Sequence, residues 1–111
     1  MSAISFVEDI EGADAYNQYL RIVGQTRLRE NLPDGLLLHA AGPTPLGCRI
    51  VAVWDSEESL TRFFRNRLQP AMNIVGPPPG NPVVEINAVT VLLRPRNRRQ
   101  PLRGPLNLDG A

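Results

Sequence analysis

The first part of the chain changes from a strand pattern to a helix pattern. Residues 4–7 alternate in part between apolar and polar positions, which indicates a short strand. Residues 13 to about 29 place Tyr16, Leu20 and Val23 at i, i+4 and i+7, the spacing of one helix face. The pattern therefore predicts a strand followed by an amphipathic helix.

Two apolar runs follow, and a loop with two prolines and two glycines separates them. Residues 36–41 are mostly leucine and alanine, and residues 48–54 are rich in β-branched side chains. Because the loop at 42–47 is short, we expect the two runs to form an antiparallel hairpin.

The second helix is predicted to begin at Asp55 or Ser56, where a side-chain oxygen can cap free N–H groups. Pro70 is expected to end or bend this helix. Residues 83–93 predict a long last strand, and an Arg/Pro-rich segment follows. The apolar stripe of the helix is Leu60, Phe63, Phe64 and Leu68.

The element order is therefore β-α-β-β-α-β in a chain of 111 residues. This order is typical of the ferredoxin-like α+β fold, in which two helices pack on one face of a four-stranded antiparallel sheet. We assign residues 1–93 to this domain and residues 94–111 to a C-terminal tail or strap.

Both faces of the predicted hairpin strands are largely apolar. Leu36, Leu38, Ile50 and Trp54 are expected on one face, and Leu37, Val51 and Val53 on the other. The two helices cover only one sheet face, so the other face needs a layer that this chain lacks. A second copy is the simplest source of that layer, and we predict a homodimer.

Composition excludes several classes of protein. The chain has one cysteine and one histidine, too few for a disulfide or a multi-histidine metal cluster, so no metal is expected. It has no apolar run long enough to span a membrane and no basic, apolar leader, so we expect a cytoplasmic protein. No motif for a nucleotide or a flavin is present, and no cofactor is expected.

Charge is unevenly distributed, although the net charge is only +1. Residues 1–60 are acidic and residues 61–111 are basic, with every basic residue an arginine. The arginines of the tail could contact nucleic-acid phosphates. Since no aromatic residue interleaves them and the overall charge is near zero, a solvated tail or a strap over an acidic helix of the partner subunit is the favoured interpretation.

The sequence resembles the dimeric α+β-barrel superfamily in four segments. They are Gly35-Leu-Leu-Leu-His-Ala-Ala-Gly-Pro43, Arg49-Ile-Val-Ala-Val-Trp-Asp-Ser-Glu-Glu58, Phe63-Phe64 and Leu68-Gln69-Pro70. The likeness covers about residues 3–93 and is greatest to the small antibiotic biosynthesis monooxygenase-like members. It implies activities from cofactor-independent oxygenation of aromatic polyketides to cyclisation, isomerisation or plain ligand binding. Many members carry a histidine in the helix after the Trp–acid motif. Residues 60–70 have none here, which argues against quinone-type oxygenation and haem degradation.

Three residues are candidates for catalysis. His39 has the one side chain with a reference pKa near neutrality, and it lies within an apolar strand, so it lines a pocket or is hydrogen-bonded in the core. Glu85 and Asn87 share one face of the last strand. If that face lines a pocket, Glu85 can orient His39 and Asn87 can hold an oxyanion; otherwise both are solvated.

Aromatic residues are the candidates for substrate binding. Trp54 ends a strand, where its ring can stack on a flat ligand or anchor the second helix. The candidates on the helices, which line a cavity or fill the core, are Tyr16, Tyr19, Phe63 and Phe64.

The leading functional hypothesis is a cofactor-independent tailoring enzyme of secondary metabolism that acts on a small apolar or aromatic, polyketide-like molecule. In the oxygenase version the pocket stabilises a substrate carbanion that reacts with O2. In the cyclase or isomerase version it positions the substrate and moves protons. The alternatives are a non-catalytic ligand-binding or regulatory dimer and, less favoured, a nucleic-acid binder that uses the arginine tail.

Overall fold

The computed structural model describes residues 2–78, 80–93 and 95, and it confirms the ferredoxin-like α+β fold. The predicted tail, residues 94–111, lies outside the described residues apart from Pro95. The strands are β1 (Ile4–Glu11), β2 (Leu36–Pro43), β3 (Gly47–Trp54) and β4 (Val83–Ala88). The helices are α1 (Ala15–Thr26), α2 (Glu57–Phe63), a π-helical segment (Phe64–Leu68) and α3 (Gln69–Val75).

The four strands form one antiparallel sheet in the order β2-β3-β1-β4. Phe6 pairs with Ala52 on one side and with Ile86 on the other, and His39 pairs with Ala52. Paired residues project to the same sheet face, so these four positions form one row across the sheet. Helices α1 and α2 pack against β3 on this face, and α3 packs against α1. No helix in the described part of the chain is long and apolar enough to cross a membrane.

The lengths predicted for the first and the last strand of the chain were wrong. β1 continues to Glu11, beyond the predicted end at residue 7, because β3 pairs with it along its whole length. β4 ends at Ala88, well before the predicted Leu93. Ala88 pairs with Ile4, the first residue of β1, so the chain beyond Ala88 has no strand left to pair with.

Two residues of the predicted inward face of α1, Tyr16 and Val23, are partly buried, but the third, Leu20, is misplaced. Leu20 is 38% exposed, whereas Gln18 and Thr26 are buried. Both polar residues are satisfied: the Gln18 amide donates to the Gly76 carbonyl at 3.0 Å, and the Thr26 hydroxyl donates to the Val23 carbonyl at 3.0 Å. The helix therefore buries hydrogen-bonded polar groups that a purely apolar pattern assigns to solvent.

The second helix begins as predicted but does not end at Pro70. The Ser56 hydroxyl accepts a hydrogen bond from the Ser59 amide at 3.2 Å, which caps α2. The helix then widens into the π-helical segment, where the backbone N–H of Gln69 donates a hydrogen bond to the Phe64 carbonyl. Pro70 thus falls in the first turn of α3, where a missing N–H costs little, and the helix continues to Val75.

A β-bulge corrects the predicted faces of β2. The β2–β3 register shifts between Leu36 and Leu38, so Leu36 pairs with Trp54 while Leu38 pairs with Val53. Leu38 therefore lies on the sheet face away from the helices, opposite to its predicted side. His39, the next residue, projects toward the helices.

Candidate functional site

A cavity of about 330 Å³ lies between the sheet and the helices. Its lining is mainly aliphatic and aromatic, the composition typical of a site for a small organic molecule. Neither arginine nor lysine is among the described residues that line it. The polar side chains at its wall are Glu8, Gln18, Tyr19, Thr26, His39 and Trp54.

His39 and Tyr19 form a hydrogen-bonded pair at this wall. Strand β2 holds His39, and the buried face of α1 holds Tyr19 above it. The Tyr19 hydroxyl oxygen and His39 Nε2 lie 2.6 Å apart, and the two rings are parallel to within 10°. The sequence predicted either a pocket role or a hydrogen-bonded role for His39, and the structure gives it both.

Burial keeps both members of this pair uncharged. It lowers the pKa of His39 below the ordinary value of 6.5, and it raises the pKa of Tyr19 to about 12. At neutral pH the pair therefore consists of an imidazole and a phenol that share one hydrogen bond. A neutral imidazole can accept a proton, which makes the pair a candidate general base.

Glu8 contributes a carboxyl group to the same cavity. It lies on β1 beside Phe6 and Ile10 in the two-residue alternation, and it pairs with Ile50 and Val84, so its neighbours within the sheet are apolar. Burial raises the pKa of Glu8 above its ordinary value of 4.5. Among the described residues, no arginine forms a salt bridge with this carboxyl.

Trp54 forms an aromatic corner with the second helix. It is 3% exposed, and its ring centroid lies 5.4 Å from that of Phe63. Phe64 also lines the cavity. The Trp54 indole N–H is buried without a hydrogen-bond partner in the described part of the chain, so the residue has a free donor for a ligand oxygen.

Two long polar side chains connect the elements that enclose the cavity. Gln18 donates to the carbonyls of Gly76 and Pro77, which holds the connector after α3 against α1. Arg67 donates to the Thr26 carbonyl at 2.6 Å, at the C-terminal end of α1, and its guanidinium lies 5.5 Å from the centre of the Phe63 ring. The wall around the cavity is thereby fixed at two places.

The other two predicted catalytic residues lie elsewhere. Glu85 pairs with Val7, and Asn87 pairs with Ser5, so both share the sheet face that the helices leave uncovered. Both are exposed. The predicted contact between Glu85 and His39 is therefore absent, because the two side chains project from opposite faces of the sheet.

The predicted aromatic residues divide in the same way. Trp54, Phe63 and Phe64 line the cavity, as does Tyr19. Tyr16 is outside the described lining: it stacks on Tyr19 with ring centroids 6.1 Å apart and packs against the core. Sequence reasoning missed Glu8. The signal was its position in the alternation of β1, between two apolar residues of the buried face.

These features define a ferredoxin-like α+β protein with an apolar cavity between sheet and helices, whose wall holds a few polar groups. No family model matches the sequence, and no curated protein is similar to it in sequence.

Solved structures with the same fold confirm the predicted resemblance to antibiotic biosynthesis monooxygenase-like proteins at the level of the fold. A candidate antibiotic biosynthesis monooxygenase from Chloroflexus aurantiacus is 15% identical with a TM-score of 0.66, and the match covers 84% of this chain and 98% of that one. SnoaB, a cofactor-independent oxygenase from Streptomyces nogalater, is 13% identical with a TM-score of 0.57, over 87% and 100%. A dimeric ferredoxin-like protein of unknown function from Thermobifida fusca is 15% identical with a TM-score of 0.62, over 79% and 92%.

Proposed function

We propose that this protein is a cofactor-independent enzyme that removes a proton from a small, uncharged, apolar or aromatic molecule in the cavity. The observation that carries the proposal is the 2.6 Å hydrogen bond between the Tyr19 hydroxyl and His39 Nε2 at the wall of an apolar cavity. A neutral base in apolar surroundings suits a neutral substrate, since an anionic one would find no cation in the described lining.

The pair can accept a proton in a single relay. The ligand's proton passes to the Tyr19 oxygen while the phenol's own proton passes to His39 Nε2. Tyr19 then remains neutral and His39 becomes an imidazolium. The ligand keeps the electron pair of the broken bond, so its negative charge and the imidazolium's positive charge form in the same cavity and stabilise each other.

Deprotonation is the first step of both versions of the leading hypothesis. SnoaB is a cofactor-independent oxygenase, and its similar fold supports the version in which a substrate carbanion reacts with O2. In a cyclase or isomerase the same carbanion attacks or is reprotonated within the ligand. A polyketide-like aromatic compound has the acidic C–H and O–H groups that either version needs.

The test uses 2-tetralone, an uncharged bicyclic ketone with acidic α-hydrogens. Exchange of these hydrogens in D2O is followed by NMR with and without the protein. We expect the wild type to accelerate exchange, and we expect Tyr19→Phe and His39→Gln to reduce the acceleration about 100-fold. Tyr16→Phe is the matched control, because it removes the same hydroxyl from the same helix outside the cavity lining.

The test also separates the enzyme from the main alternative. Binding of 2-tetralone is measured in parallel by calorimetry. Binding without accelerated exchange would overturn the enzyme proposal in favour of a ligand-binding protein. Equal loss in Tyr16→Phe and Tyr19→Phe would show that the loss is structural and would overturn the role of the pair.

We further propose that the protein acts as a homodimer, joined through the sheet face that the helices leave uncovered. Leu38 on this face is 45% exposed, and Val51 and Val53 beside it are only partly buried. An exposed apolar patch of this kind on a sheet face favours a covering layer. The dimeric protein from Thermobifida fusca, which has a similar fold, supports the choice of a second copy. A cytoplasmic location remains a prediction of the sequence.

A further inference from the structure

The carboxyl group of Glu8 has no part in the proton relay, yet it belongs to the same cavity. Glu8 pairs with Ile50, and His39 pairs with Ala52, so both side chains project from the helix-covered face of the sheet. Strand β3 lies between the strands that hold them. Two strand spacings, together with the two-residue offset between Ile50 and Ala52 along β3, separate their backbones by about 12 Å. Glu8 and the Tyr19–His39 pair therefore line the same cavity from strands that are not adjacent.

The surroundings of Glu8 favour its uncharged form. A carboxylate taken out of water without a cation is costly, so the half-buried position of Glu8 raises the pKa of its carboxyl group and favours the protonated form. The described cavity lining holds no arginine, and His39 is itself neutral at this wall. A protonated carboxyl group can donate its hydrogen in a hydrogen bond. Within the cavity, that hydrogen is available to an oxygen atom of a bound ligand.

We propose that Glu8 is the general acid of this site and that its substrates are neutral ketones or related carbonyl compounds with an acidic α-hydrogen. The inference rests on the proposed function, because it assigns the base role to Tyr19 and His39. The carbonyl oxygen receives a hydrogen bond from Glu8 while an α-carbon faces Tyr19. The site thereby recognises a substrate by two points, an oxygen and an acidic C–H, within an otherwise apolar cavity.

The step balances without an oxidant or a further reactant. The α-C–H bond breaks, and its proton enters the Tyr19–His39 relay. The electron pair of that bond forms the C=C bond of an enol, and the carbonyl π pair takes the proton of Glu8. The cavity then holds a neutral enol, a Glu8 carboxylate and a His39 imidazolium. Return of the His39 proton to the α-carbon, with return of the enol proton to Glu8, restores the ketone and both groups. In a ketone with a further C=C bond next to the α-carbon, return of the proton to the far end of the dienol moves that bond into conjugation with the carbonyl.

The experiment compares Glu8→Gln and Glu8→Leu with the wild type in the α-hydrogen exchange of 2-tetralone. A glutamine amide still donates a hydrogen bond but cannot give up a proton, whereas leucine does neither. We expect Glu8→Gln to lower kcat about 100-fold with KM within about threefold of the wild-type value. Binding of 2-naphthol, which resembles the enol of 2-tetralone, should survive in Glu8→Gln and weaken at least tenfold in Glu8→Leu. Glu30→Gln, an exposed glutamate beyond α1, is the control and should leave both quantities unchanged.

The outcomes distinguish this inference from the function on which it rests. Normal exchange in Glu8→Gln, together with lost exchange in His39→Gln, would overturn the role of Glu8 and leave the proposed function standing. Unchanged exchange in His39→Gln would overturn the proposed function instead. Equal weakening of 2-naphthol binding in Glu8→Gln and Glu8→Leu would show that the carboxyl group donates no hydrogen bond that an amide can replace, and this too would overturn the assignment.

Discussion

The Tyr19 hydroxyl and His39 Nε2 lie 2.6 Å apart, and their hydrogen bond joins the buried face of α1 to the middle of β2. Twenty residues separate them in the chain. The bond satisfies two buried polar groups with each other, and it does so at the wall of the cavity rather than in a closed core. One contact thus serves packing and site geometry together.

The first prediction concerns the stability that this bond provides. Tyr19→Phe and His39→Leu each leave the other polar group buried without its partner, so each should lower the free energy of unfolding by about 1–3 kcal/mol. The double variant has no polar group left unpaired and should lose less than the sum of the two single losses. The coupling, measured by urea unfolding, should be about 1 kcal/mol. Strictly additive losses would contradict an energetic link between the two side chains.

The second prediction concerns the pH dependence that His39 imposes on stability. Burial lowers the pKa of His39 in the folded protein below 6.5, its ordinary value. Between these two values the unfolded chain binds more protons than the folded one, so the free energy of unfolding falls as the pH falls through this window and is fully retained above about 6.5. Tyr19 is the titratable group in contact with His39, and Glu8 is a titratable group that lines the same cavity. The free energy of unfolding of His39→Leu should not show this loss at low pH. If the variant and the wild type have the same pH profile, the loss does not come from His39.

The third prediction concerns Glu8, for which the sign is opposite. Burial raises the pKa of Glu8 in the folded protein above 4.5, so its favourable contribution is complete below 4.5 and is lost as the pH rises through the folded value. Cys48 on β3, with a pKa that burial raises, is the nearby titratable group. Glu8→Gln removes the titratable carboxyl group and with it this pH-dependent cost, so at pH 7 it should unfold at a higher urea concentration than the wild type. The difference in urea midpoint between the variant and the wild type should vanish near pH 4. If Glu8→Gln is less stable than the wild type at pH 7, the Glu8 carboxylate has a stabilising partner.

The fold could be predicted because the order of its elements does not depend on the exact residue at which each strand or helix begins and ends. The order of strands and helices depends on apolar runs, turns and one N-cap, and Ser56 caps α2 as the sequence indicated. Leu20 on α1 was misplaced because the helix buries Gln18 and Thr26 through hydrogen bonds that no pattern of apolar residues reveals. A helix face is chosen by everything that packs on it, including polar groups that find partners.

The candidate site was predicted less well than the fold, and the reason lies in strand register. His39 lines the cavity, one of the two positions that the sequence left open for it, but the sequence could not decide which face of β4 holds Glu85, and Glu85 has the solvated position. A shift by one residue moves every side chain of a strand to the opposite face. Glu8 was missed for the same reason, since an acid in a strand looks like the end of that strand until the pairing of β1 is known.

The fourth prediction concerns the charge of the ligand. The described lining holds no arginine, so the cavity should bind 2-naphthol at least tenfold more tightly than 2-naphthoate, which has the same ring system and a negative charge. Trp54 is the only tryptophan, and its indole N–H gives one cross-peak in a nitrogen-15 correlation spectrum. That cross-peak should shift on addition of 2-naphthol. Tighter binding of the naphthoate would contradict an uncharged site.

The last prediction concerns the uncovered sheet face. Leu38 is 45% exposed in one chain and pairs with Val53, so an aspartate at this position would face water in a monomer and an apolar surface in a dimer. Leu38→Asp should therefore sediment as a monomer of 12.3 kDa with a normal circular dichroism spectrum, whereas we expect the wild type to sediment at twice that mass. Thr61→Asp adds the same charge to the exposed face of α2 and should leave the dimer intact. A wild type that sediments as a monomer would contradict the dimer, and a Leu38→Asp dimer would move its interface to another surface.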